Sequence, residues 1–197
     1  MRYTSLVWEW PERRGLEHLR LFASDEGTKA DGLIVADSES GVVRARYSIS
    51  LGPDWQLQQC GVFSISGSAQ NSVWLRSGRR SRWEVDGKPR PDLENCTAFD
   101  ITDTPFPKTV LVRSFNLVEG ASAKVTVARI DNRELSVRPV EQEWELVPAP
   151  EYSARRYRCK SLNSAIEMDF DEQLMLKFCP QRWRLVNKPE LNGNGDD

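Results

Sequence analysis

Apolar and polar residues alternate with period two along most of this chain. Val43, Ala45, Tyr47, Ile49 and Leu51 are separated by Arg44, Arg46, Ser48 and Ser50. Gln142, Trp144 and Leu146 alternate with Glu141, Glu143 and Glu145, and Ile166, Met168 and Phe170 with Glu167, Asp169 and Asp171. Successive side chains of a strand point to opposite faces, so each run predicts a strand with one buried and one wet face. Similar runs include 16–22, 55–65, 109–118, 124–130, 135–140 and 155–159. Ser77-Gly78, Asp86-Gly87, Glu119-Gly120 and Asp131-Asn132 fall between runs as hairpin-type turns. The short spacing predicts antiparallel pairing, because a parallel crossover needs a longer connection. No long segment has a 3.6 period, and 161–165 fits a helical turn or a hairpin loop equally well. The predicted fold class is all-β: a single-domain antiparallel roll or open barrel of about a dozen strands with little helix. The domain is expected over 1–191, with a disordered tail over 192–197 and a long ordered, proline-bearing excursion over 86–107.

Composition narrows the function. The 197 residues carry a net charge of −2, so no global field favours nucleic acid. Met1–Trp10 has no apolar core behind basic residues, and no run is long enough to span a bilayer, so a cytoplasmic location is expected. Cys60, Cys96, Cys159 and Cys179 form no CxxC pair, and are expected to be free and buried. With His18 as the one histidine, a metal site is not expected, and no phosphate loop or dinucleotide fingerprint implies a cofactor. His18 itself reads as a surface or hydrogen-bonded histidine. A carboxylate-based enzyme stays open through Glu17, Asp100, Asp103 or Asp169. Arg76, Arg79, Arg80 and Arg82 read either as an anion site or as a solvated hairpin tip.

The seven tryptophans could stack on a ligand or fill a thin core. The most unusual segment runs from Cys96 to Arg113, where a polar, proline-bearing approach meets an apolar run that carries an arginine. Cys96, Asp100, Ile101, Thr104, Pro105, Phe106, Thr109, Val112 and Arg113, with Gly15-Leu16-Glu17, Ala30-Asp31-Gly32, Trp55, Gln142-x-Trp144 and Tyr152, resemble the bacterial family named putative glycolipid-binding, formerly a domain of unknown function. The resemblance covers nearly the whole chain. Ala98, Pro107, Lys108, Leu111 and Ser114 depart from the family pattern, which has an acid, threonine, asparagine, proline and a second arginine there.

The resemblance implies a spiral β-roll shaped like periplasmic lipoprotein carriers. It also implies non-catalytic binding of a small amphipathic molecule, a glycolipid or related lipid, in the concavity of the sheet. The residues expected to serve are Glu17, Trp55, Asp100, Thr104, Arg113, Gln142, Trp144 and Tyr152, with Tyr157 as an alternative cover. Arg113 is expected on a strand, paired with Asp100 or Asp103. The alternatives are a carboxylate enzyme acting on a sugar or lipid, and an interaction module with no small ligand. Charged side chains buried inside the roll favour the first two; a solid apolar interior favours the third.

Overall fold

The computed structural model describes residues 1–12, 14–38, 41–66, 69–78, 82–161, 164–187 and 190–191. The tail expected over 192–197 lies outside them, as do Arg79 and Arg80 of the basic cluster. The strands are β1 (Arg2–Trp10), β2 (Gly15–Ser24), β3 (Gly27–Ser38), β4 (Gly41–Leu51), β5 (Leu57–Ser66), β6 (Ala69–Ser77), β7 (Trp83–Val85) and β8 (Lys88–Pro89). After a 3-10 turn at Pro91–Leu93 come β9 (Ala98–Ile101), helix α1 (Phe106–Val112), β10 (Ser122–Ile130), β11 (Val137–Val147), β12 (Arg155–Ser161), β13 (Ser164–Phe170), β14 (Leu176–Cys179), β15 (Trp183–Asn187) and β16 (Glu190–Leu191).

All of these strands belong to one sheet, in the order β8-β7-β6-β5-β4-β3-β2-β1-β15-β14-β13-β12-β11-β10-β9, with β16 beside β1. Most neighbours are consecutive hairpins. The exceptions are β1 with β15, which joins the two halves, and β9 with β10, which run parallel on either side of α1. The two edges, β8 and β9, are adjacent in sequence but not paired, so the roll is open. The segment between them is tied down locally: Trp83 Nε1 donates to Cys96 O at 3.0 Å, and Arg90 Nη2 to Val137 O at 2.8 Å.

The alternation seen in sequence sorts the faces. Along β2, Glu17, Leu19 and Leu21 point inward while His18 and Arg20 face out. His18 is exposed and shares a 2.9 Å hydrogen bond with Ser5 Oγ. Trp8, Trp10, Trp83, Trp144 and Trp183 are buried, so most tryptophans fill the core, Trp55 is half-buried and Trp74 faces outward. All four cysteines are free and buried.

One expected strand is a helix. The pattern over 109–118 predicts an extended run, but α1 occupies Phe106–Val112 and the chain goes on to a turn at Glu119-Gly120 rather than a hairpin. A short continuous apolar run does not distinguish a buried strand from a helix buried on every side. Here all seven helical residues are buried. Pro107 fixes φ near the helical value, and its missing N–H would have been unsatisfied in the first turn anyway. The helix lies inside the roll: Lys108 reaches β9 and Trp183, while Thr109 Oγ1 accepts a 3.1 Å bond from Leu176 N on β14. Helix α1 therefore takes up part of the concavity of the sheet. Of the segment 161–165, Ser161 ends β12 and pairs with Ser164 at the start of β13, while 162 and 163 lie outside the described residues.

Candidate functional site

Two polar clusters lie within the roll. The first is built around Glu17, which is wholly buried. Its Oε1 accepts hydrogen bonds from Tyr47 Oη at 2.6 Å and Thr104 Oγ1 at 2.8 Å, while Oε2 is buried without a partner among the described residues. Tyr47 reaches Glu17 by lying across β3. A Cβ on Gly32 would sit 2.1 Å from Tyr47 Cζ, so only glycine leaves room for the ring. Thr104 arrives from the opposite side, on the turn between β9 and α1. Asp103 takes φ 56° there, and Thr102 is clamped to Asn132 by bonds of 3.0 and 3.2 Å. Burial disfavours the charged carboxylate and raises the Glu17 pKa to about 7, against the opposing pull of Tyr47, Thr104 and Lys108.

The second cluster centres on Asp100, on β9. Its Oδ1 accepts from Lys108 Nζ at 2.6 Å, and its Oδ2 from Arg129 Nε at 3.0 Å and Gln142 Nε2 at 3.4 Å. Lys108 also donates to Ile101 O at 3.0 Å and stands 5.4 Å from the centre of the Trp183 ring. Gln142 is oriented by Trp144 Nε1, which donates to its Oε1 at 2.8 Å. These groups border an open pocket of about 150 Å³. Asp100, Lys108 and Arg129 make its floor, and Trp144, Ile166 and Met168 contribute its apolar wall. Among the described residues, no group of three His, Cys, Asp or Glu side chains is placed to hold a metal ion.

An aspartate-lysine-arginine network thus opens onto one wall of an all-β roll. Residues 5–184 match the family described as "Putative glycolipid-binding". The chain belongs to that family. A crystal structure of a DUF1089-family protein from Pseudomonas aeruginosa shares its fold, with a TM-score of 0.74 and 22% identity over 86% of this chain and 92% of that one. No curated protein matches the chain.

Within this putative glycolipid-binding member, the expected residues divide among several places. Glu17 and Thr104 meet directly. Asp100, Gln142 and Trp144 meet in the second cluster. Arg113 and Trp55 form a third pair, with the guanidinium 3.9 Å from the ring centre. Arg113 is not on a strand and does not pair with Asp100: it caps the C-terminus of α1 and donates to Gln173 O. Burial lowers its pKa, with Asp171 opposing. Asp103 pairs instead with Arg133, at 3.5 Å. Tyr152 is 58% exposed, accepts a 3.1 Å bond from Arg156, and does not line the pocket. Tyr157 is buried between Phe170, Trp144 and Phe115.

Tyr47, Lys108, Arg129 and Arg182 were not among the expected site residues. Alternation does place Tyr47 inward, and Lys108 was visible as a departure from the family's asparagine. Arg129 had no distinguishing signal, since an arginine on an alternating strand usually faces water.

Proposed function

We propose that this chain binds the polar head of an amphipathic small molecule, a glycolipid or related lipid, in the pocket beside Asp100. The observation that carries this reading is a buried ion network placed at the floor of an open cavity, next to an apolar wall. Burying Asp100 and Lys108, at 4% and 9% exposure, is costly unless they are paired with good geometry or put to use. A polar floor with a few fixed donors beside apolar side chains is the usual make-up of a small-molecule site. At about 150 Å³ the cavity holds the liquid volume of about five waters. That suits a headgroup and excludes an acyl chain, which would run outward over the protein surface.

The carboxylate-enzyme reading would rest on Glu17, whose raised pKa suits a general acid. Among the described cavities, none is lined by Glu17. Asp100, by contrast, lines one, and the binding reading is favoured.

The test pairs native mass spectrometry of the freshly purified protein with titration of octyl glucoside and octyl glucuronide, followed by calorimetry. A co-purified amphiphile, or saturable binding of either glycoside that disappears when Ile166→Trp fills the pocket, is the expected result. A protein that retains no amphiphile and binds neither glycoside overturns the reading.

A further inference from the structure

We infer that the head taken by this pocket is an anion, such as the carboxylate of an acidic sugar or a phosphate or sulfate ester. The inference rests on the binding reading above and adds the charge of its ligand. Lys108, Arg129 and Arg182 line the cavity, against the carboxylates Asp100 and Asp103. Asp103 is already engaged by Arg133. Asp100 is shared between Lys108 and Arg129, and accepts from Gln142 as well. One carboxylate thus serves two of the three cations, and Arg182 faces the cavity with no described acidic partner. Its one described side-chain contact is with the Trp183 ring, whose centre is 5.9 Å away. This positive excess is local, because the whole chain carries −2.

The hydrogen-bonding capacity points the same way. Arg129 uses Nε on Asp100, and among the described contacts its two terminal amino groups have no partner. A guanidinium presents donors in a fixed fork that matches two oxygens of a carboxylate or phosphate. The Asp100 oxygens are taken up by their three donors and offer little to a sugar hydroxyl or a cation. The pocket therefore presents donors in excess of acceptors, and its complement is a group rich in acceptor oxygens. Lys108 holds Asp100 in place from the helix, which leaves the arginines to meet the ligand.

Four probes test this: octyl glucuronide, octyl glucoside, octyltrimethylammonium and sodium glucuronate. Calorimetry is run on the full chain and on Arg182→Gln. That position is on the surface, and its loss should leave the fold intact. Octyl glucuronide is expected to bind roughly tenfold or more tighter than octyl glucoside, from the worth of one charge-assisted contact. In Arg182→Gln that preference should shrink. Equal affinity for the two glycosides, or stronger binding of the ammonium, overturns the anion inference and leaves the binding reading standing. Binding of none of the four overturns both. If free glucuronate binds as tightly as its octyl glycoside, the anion site stands and the amphiphile reading falls.

Discussion

Replacing Glu17 by glutamine isolates a titration shifted by burial into the neutral range. The carboxyl lies among Tyr47, Thr104 and core side chains, and its pKa rises from 4.5 to about 7. The folded protein therefore holds this proton more tightly than the unfolded chain does. Stability contributed by the neutral acid is fully present below pH 4.5 and is lost as pH climbs through about 7. At about 1.4 kcal/mol per pH unit, the shift corresponds to about 3 kcal/mol between the two limits. Glutamine has nearly the same shape, accepts the same two hydroxyl bonds and carries no charge at any pH, so the variant should lack this dependence. For a chain of this size the difference in Tm between Glu17→Gln and the parent should grow by roughly 6–12 °C in favour of the variant from pH 4.5 to pH 8.5. Comparing the two proteins cancels the titrating groups that do not interact with Glu17. Urea or thermal melts at four or five pH values suffice. Parallel stability curves for the two proteins would refute the reasoning, because they would mean that Glu17 titrates alike in the folded and unfolded chains.

Other expected outcomes follow from the same contacts. Gly32→Ala pushes a methyl into the Tyr47 ring and should cost about 1–3 kcal/mol in denaturant melts, as overpacking does elsewhere. Arg113→Leu removes the contact over Trp55 and the bond to Gln173. It should lower stability by about 2 kcal/mol while leaving glycoside affinity unchanged, since neither residue lines the pocket. Asp100→Asn leaves Lys108 and Arg129 without their carboxylate and should cost about 3–5 kcal/mol, measured by chemical denaturation. The native protein should react slowly with a thiol reagent, because all four cysteines are buried and burial pushes Cys96 and Cys179 up to about 11. The unreduced protein in denaturant should titrate four thiols.

The strands were legible because burial on one face leaves a period-two trace, as in Ala45, Tyr47, Ile49 and Leu51 on β4. The helix was not, because α1 is enclosed by the roll and has no wet face to mark a 3.6 period. That single misreading displaced Arg113, whose assignment to a strand made an ion pair with Asp100 look natural. The site was legible in parts. Glu17, Thr104, Asp100, Gln142 and Trp144 stood out by resemblance, but which of them meet depends on strands far apart in sequence. Tyr47 reaches Glu17 only because β2, β3 and β4 are neighbours and Gly32 lies between them. The partners of Asp100 come from α1, β10 and β11, and no local pattern indicates that they converge.

The pairing of β1 with β15 has a consequence for synthesis on the ribosome. Strands β1 to β6 can zip together as soon as they emerge, since each finds its neighbour a few residues away. The other side of β1 has to wait for β15, and the contact between Glu9 and Arg184 spans 175 positions. Until then the nascent chain exposes a long strand with Leu6, Trp8 and Trp10 on its inward face and unpaired backbone groups along one side. Such an edge invites pairing with another copy. A chain truncated before β15 should therefore be captured by chaperones or aggregate, while its completed counterpart closes the seam and escapes.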